Sequence, residues 1–89
     1  MALVKKQLVV KNKSGLHARP AALFVQVANK FTSRITVKRD DEEVNGKSIM
    51  GILMLGAEKN SVIIIEADGE DAQIALAELE KIISNEDDR

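Results

Sequence analysis

Eighty-nine residues, 45% hydrophobic and 30% charged, suffice for one modest core, are too few for two, and exclude a disordered chain. A net charge of −1 with only two phenylalanines, and no tyrosine or tryptophan, leaves neither bulk attraction nor stacking platforms for nucleic acid. No cysteine and a single histidine exclude disulfides and the usual zinc site, so neither metal nor cofactor is expected.

The N-terminal Met1-Ala2-Leu3-Val4-Lys5-Lys6 leads into no long apolar run before Gly15, so no signal peptide is expected. No segment approaches a bilayer span, so the chain is expected in the cytoplasm, without membrane insertion. Leu3 to Val10 reads as a first strand, closed by the turn-rich Lys11-Asn12-Lys13-Ser14-Gly15. From Ala18 to about Phe31 the pattern turns helical. Leu23, Val27 and Phe31 recur at i, i+4, i+8, and Phe24 and Ala28 widen the stripe. Pro20 stands near the helix start, where its missing N–H removes no bond. Ile35 and Val37 alternate with polar residues as a second strand, and a third ends near Val44-Asn45. Ser48 is placed to cap a short helix to Leu55, with Gly51 weakening it and Gly56 as its stop. Val62 to Ile65, dense in β-branched residues, predicts a central strand. Asp68-Gly69-Glu70-Asp71 puts acids at the start of a last helix, with Ala75, Leu79 and Ile82 on its apolar face. The tail from Asn85 to Arg89 is expected to fray. The order β-α-β-β-α-β-α suits an α+β fold with helices on one face of the sheet and the other face wet.

The segment that carries chemistry is Ser14-Gly15-Leu16-His17-Ala18-Arg19-Pro20. Gly15 permits a tight turn, and His17 then falls at a helix mouth whose N–H groups and dipole favour an anion. Arg19 can offer a guanidinium fork to the same oxygens. An imidazole there can accept a phosphoryl group, and helix-end stabilisation of roughly 0.3–1 kcal/mol tunes the adduct without trapping it. A lone histidine in a small domain more commonly does no more than cap a helix or sit in an exposed turn.

Gly15-Leu16-His17-Ala18-Arg19-Pro20-Ala21 resembles the active-site signature of the HPr family of histidine-containing phosphocarriers, in the bacterial phosphoenolpyruvate-dependent phosphotransferase system. Length and element order match across almost the whole chain, so residues 1–89 are expected to be a single HPr domain. The resemblance implies an open-faced β-sandwich: a four-stranded antiparallel sheet with three helices on one face. It also implies that His17 takes a phosphoryl group on Nδ1 from phosphorylated enzyme I and passes it to a histidine on an enzyme IIA-type acceptor. Arg19 would stabilise the group, and a monomer would suit a carrier that visits several partners.

Asn45-Gly46-Lys47-Ser48-Ile49-Met50-Gly51 is the second motif. Read by itself, Ser48 is an N-cap serine, and a phosphate there would place about −1.5 to −2 charge beside an apolar surface. Lys-Ser-Ile-Met-Gly resembles the site that a dedicated HPr serine kinase/phosphorylase modifies in some bacteria, making Ser48 a candidate regulatory serine. Leu16, Pro20, Ile49, Met50 and Leu53 are the candidate docking residues, although apolar residues of a short helix also pack a core. The stretch from Val44 to Leu55 resembles the regulatory, nitrogen-related branch of the family, so the acceptor could serve sugar uptake or signalling. Two other readings stay open. One is a regulatory interaction protein controlled through Ser48, as in relatives whose histidine is replaced; the other is a generic α+β ligand- or RNA-binding domain.

Overall fold

The computed structural model describes residues 3–86. Strand β1 (Leu3–Val9) is followed by helix α1 (Ala18–Ala28), β2 (Arg34–Arg39), β3 (Glu42–Asn45), α2 (Ile49–Leu55), β4 (Val62–Asp68) and α3 (Ala72–Ile83). The strands form one antiparallel sheet in the order β1-β4-β2-β3. β4 therefore lies inside the sheet, as its β-branched run predicts. Its alternate residues Ile63, Ile65 and Ala67 are fully buried, together with Ile35 and Val37 of β2. Helix α3 packs over β1 and β4, α2 over β3 and β2, and α1 lies against both helices. On the opposite, wet face Lys38 reaches Glu66 at 2.8 Å and Glu43 at 3.6 Å, tying β2 to both neighbours.

The first helix differs from expectation in register and length. Its buried face is Pro20, Ala21, Phe24 and Ala28, whereas Leu23 is exposed. Small alanines beside Phe24 allow α1 close to α3, so the deepest line runs one residue away from the larger aliphatics. Val27 and Phe31 remain on the rim of the core. The helix stops at Ala28 because Asn29 turns its own side chain back, donating from Nδ2 to Val25 O at 2.9 Å and Lys47 O at 3.1 Å.

Gly51 does not interrupt α2, and it lets the helix lie close on β3. A Cβ there would stand 3.0 Å from Asn45 O and 3.3 Å from Val44 Cβ. The helix ends at Gly56 in the left-handed region, as expected. Beyond α3, Asn85 and Glu86 are exposed, and the rest of the tail, 87–89, lies outside the described residues.

Of the acids before α3, Asp71 has a role beyond the expected dipole complement. Asp71 occupies the N-cap position, but its carboxylate makes no cap bond to its own helix. Instead it reaches across to the α1–β2 turn, accepting from Thr32 N at 2.9 Å, Ser33 N at 3.0 Å and the hydroxyls of both residues. Ser33 is buried, so this clasp satisfies a hydroxyl that water does not reach. The Ser33 hydroxyl first, then the Thr32 N–H, hold the Asp71 carboxyl down to about 2 from an ordinary 3.8. A depressed carboxyl stabilises the fold above its unfolded value, and that contribution fades as pH falls through 3.8 toward 2. Asp71→Asn should therefore melt lower than wild type at neutral pH and lose less stability between pH 4 and pH 2. Parallel melts across that window check it; identical pH slopes would remove Asp71 from acid stability.

Candidate functional site

The loop from β1 to α1 is held by backbone bonds on both sides. Val10 donates to Ser61 O at 2.9 Å and accepts from Asn60 N at 2.8 Å, extending the pairing past the strand. Gly15 N donates to Asn12 O at 3.0 Å, closing a turn in which Gly15 has φ 75. No other residue fits there, since a Cβ would fall 2.6 Å from Ala57 O and 2.8 Å from Glu58 Cα. Leu16 then donates its N–H to Ala57 O at 2.8 Å and is completely buried.

Burial corrects two of the expected docking residues. Leu16 has no surface to offer a partner; it anchors the loop in the core. Pro20 is also buried, and contributes one wall of a hollow instead of a protruding contact.

His17 is the N-cap of α1, with extended backbone at φ −122 and ψ 163, and its exposed imidazole makes no cap bond. Ala18 follows at φ 43, a left-handed conformation that costs an L-residue about 1–2 kcal/mol. The N–H groups of Ala18 and Arg19 have no partner inside the helix, and Pro20 has none to offer. The side chains of Ser14, His17, Ala18, Arg19 and Pro20 surround a shallow hollow of about 240 Å³. Among the described residues, the Arg19 guanidinium makes no hydrogen bond or ion pair. An anion arriving on the imidazole would thus meet a helix dipole and an uncommitted cation. A larger recess of about 370 Å³ lies on the sheet corner around Arg34, Thr36, Glu43, Asn45 and Lys47, but it holds no histidine and no hydroxyl backed by a base.

Ser48 does not line the hollow at His17. It caps α2 as expected, accepting from Gly51 N at 3.1 Å. Behind it Ile52 and Leu55 are buried, while Ile49, Met50 and Leu53 stay exposed at 41%, 63% and 39%. Met54, at 71% exposure, completes this apolar face and was missed in the sequence reading, although its spacing of four from Met50 is a usable signal. Asn12, read only as part of a turn, is buried at 1% exposure. Nothing in its polar neighbourhood signals that burial.

An open-faced α+β sandwich that presents one histidine, uncapped, at the mouth of its first helix is the class these features define. Residues 4–85 match the family model described as PTS HPr component phosphorylation site. The chain is 49% identical to the HPr-like protein Crh of Halalkalibacterium halodurans over 84 residues, 94% of this chain and all of that one. The crystal structure of the phosphocarrier protein HPr from Bacillus anthracis superposes with TM-score 0.90 and 47% identity, covering 93% of this chain and 99% of that one. A crystal structure described as an HPr dimer, from Thermoanaerobacter tengcongensis, is 51% identical with TM-score 0.72, covering 85% and 87% of the two chains. The chain belongs to the HPr family.

Because Gly15 combines a left-handed φ with backbone contacts too close for a methyl group, Gly15→Ala should cost about 2 kcal/mol or more. Urea unfolding of the two proteins measures this, and a difference under about 0.5 kcal/mol would contradict the tight approach to Ala57.

Proposed function

We propose that this protein is a phosphocarrier of the phosphoenolpyruvate-dependent phosphotransferase system. His17 accepts a phosphoryl group on Nδ1 from phosphorylated enzyme I and donates it to an enzyme IIA-type protein. The observation that carries this reading is the exposed imidazole of His17, free of any cap bond, beside an Arg19 guanidinium that is unpaired among the described residues, in a chain that matches the family along 4–85. In the transfer, a new N–P bond forms on His17 as the bond to the donor breaks. Charge on the phosphoryl oxygens is met by the N–H groups at the helix mouth and by Arg19. Partners complete the site, since in-line geometry needs surfaces on both sides of the phosphorus.

The apolar face of Ile49, Met50 and Leu53, extended by Met54, is the docking surface in this reading. Unbranched methionines adapt to more than one partner. Contacts near or below about 1,200 Å² of total buried surface suit the rapid exchange a carrier needs. The chain works as a single domain, in the cytoplasm, as a monomer between partners. Among the described residues no helix is long and apolar enough to cross a membrane.

A second reading is favoured by the likeness to Crh together with the geometry of Ser48. In it the protein is a regulatory interaction partner controlled by an HPr serine kinase/phosphorylase acting on Ser48. A phosphate on Ser48 Oγ would sit at the start of α2 and charge the edge of its exposed apolar face. Sugar uptake and regulation use the same chemistry at His17 and differ in the acceptor.

Incubation with phosphoenolpyruvate and enzyme I should add one acid-labile phosphoryl group by intact mass, and none to His17→Ala. No label on the wild type, with an enzyme I active on another carrier, would move the function to Ser48. Arg19→Ala should keep the fold and slow transfer about 10- to 100-fold, the worth of a charge-assisted hydrogen bond; an unchanged rate would remove Arg19 from the mechanism. Ser48→Asp should slow labelling by enzyme I roughly tenfold or more by putting charge beside the docking face. Equal labelling rates would separate Ser48 from the exchange.

A further inference from the structure

We propose that Asn12 is a positioning residue for His17, whose side-chain amide fastens the histidine loop to the end of α3 and thereby sets where the imidazole stands. This rests on the carrier reading for its activity test, but the geometry is independent of that reading.

Asn12 is 1% exposed, although it stands in a loop between two exposed lysines. Its Nδ2 donates twice, to Ile82 O at 2.8 Å and to Asn85 O at 2.9 Å. The preceding residue adds a third bond, from Lys11 N to Ile83 O at 2.9 Å. Carbonyls at a helix C-terminus need donors from outside the helix, and a primary amide supplies two from one nitrogen without burying a charge. Aspartate would set a carboxylate against two carbonyls, and a buried lysine would bring an unpaired charge.

The same residue shapes the loop through its main chain. Asn12 O accepts from Gly15 N at 3.0 Å, which begins the turn that carries Leu16 into the core and leaves His17 outside. The far side of that turn is pinned where Leu16 N meets Ala57 O at 2.8 Å. His17 thus stands on a short loop gripped at two points, one by α3 through Asn12 and one by the α2–β4 connection.

One atom argues that Asn12 is present for its two donors and not to fill space. Asn12 Oδ1 is buried and has no hydrogen-bond partner among the described residues. An unpaired buried acceptor weakens a fold, so an apolar side chain would suit a purely space-filling role better. Only the amide holds both carbonyls.

The test compares wild type with Asn12→Ala, Asn12→Ser and Ser33→Ala, the last weakening the Asp71 clasp at the opposite end of α3 by removing its buried hydroxyl bond. Labelling by phosphoenolpyruvate and enzyme I is followed at a temperature where each variant gives a folded amide spectrum, and the chemical shifts of the His17 ring C–H groups are compared at one pH by NMR. Asn12→Ala should lose about tenfold or more in transfer rate, chiefly in kcat, and displace the His17 ring signals. Asn12→Ser, with one donor left, should fall between, and carries the test if Asn12→Ala does not fold. Ser33→Ala should lower stability while leaving the rate and the ring signals at wild-type values. Wild-type rate and ring signals in both Asn12 variants would overturn the proposal, as would an equal loss in Ser33→Ala. If the wild type takes no phosphoryl group, the carrier reading fails. Asn12 is then judged on the ring signals, and undisplaced signals overturn its role.

Discussion

Burial of Leu16 is the constraint from which the site follows. Its side chain is wholly inside the core, and its N–H is bound to Ala57 O at 2.8 Å. Adjacent residues in extended backbone point to opposite sides. With Leu16 committed inward and His17 extended at φ −122, the imidazole is directed outward. The helix that starts at Ala18 then brings its dipole to that point. The left-handed Ala18 marks the local cost of joining an anchored loop to a helix whose buried face is set by Phe24.

The remaining elements hold that arrangement at a distance. Asp71 ties the start of α3 to the turn after α1, and Asn12 ties the end of α3 to the loop before it. Helix α3 is thereby linked at both ends to the segments that flank α1. Asn29 joins the end of α1 to the backbone of Lys47, next to Ser48. The two motifs therefore belong to one framework, with His17 at one end of α1 and the Ser48 turn bonded to the other.

Much of this was legible in the residues because local chemistry decides it. Val62 to Ile65 form the interior strand their branching predicts, Ser48 caps α2, and Gly56 ends it in a left-handed turn. The histidine, arginine and proline fall together around one hollow because four consecutive residues at a helix start cannot separate far. Less legible was the face of α1. Leu23 and Val27 outweigh Ala21 and Ala28 on any hydrophobicity count, yet small residues win where two helices must approach closely. Leu16 and Pro20 were expected at the surface, and both are buried.

By itself, the sequence determined the element order, the caps of α2, the β-branched run of an interior strand and the place of the lone histidine at the mouth of α1, because each depends on neighbours within a few positions. Only the tertiary structure decided that Leu16 is core, that Asp71 serves the α1–β2 turn, and that Asn12 holds the last turn of α3. Asp71 bonds residues 38 and 39 positions away, and Asn12 bonds residues 70 and 73 positions away. A polar side chain read locally offers the same donors and acceptors to a turn, a cap or water. Which of these it serves is decided by which backbone groups the packed core leaves without other partners.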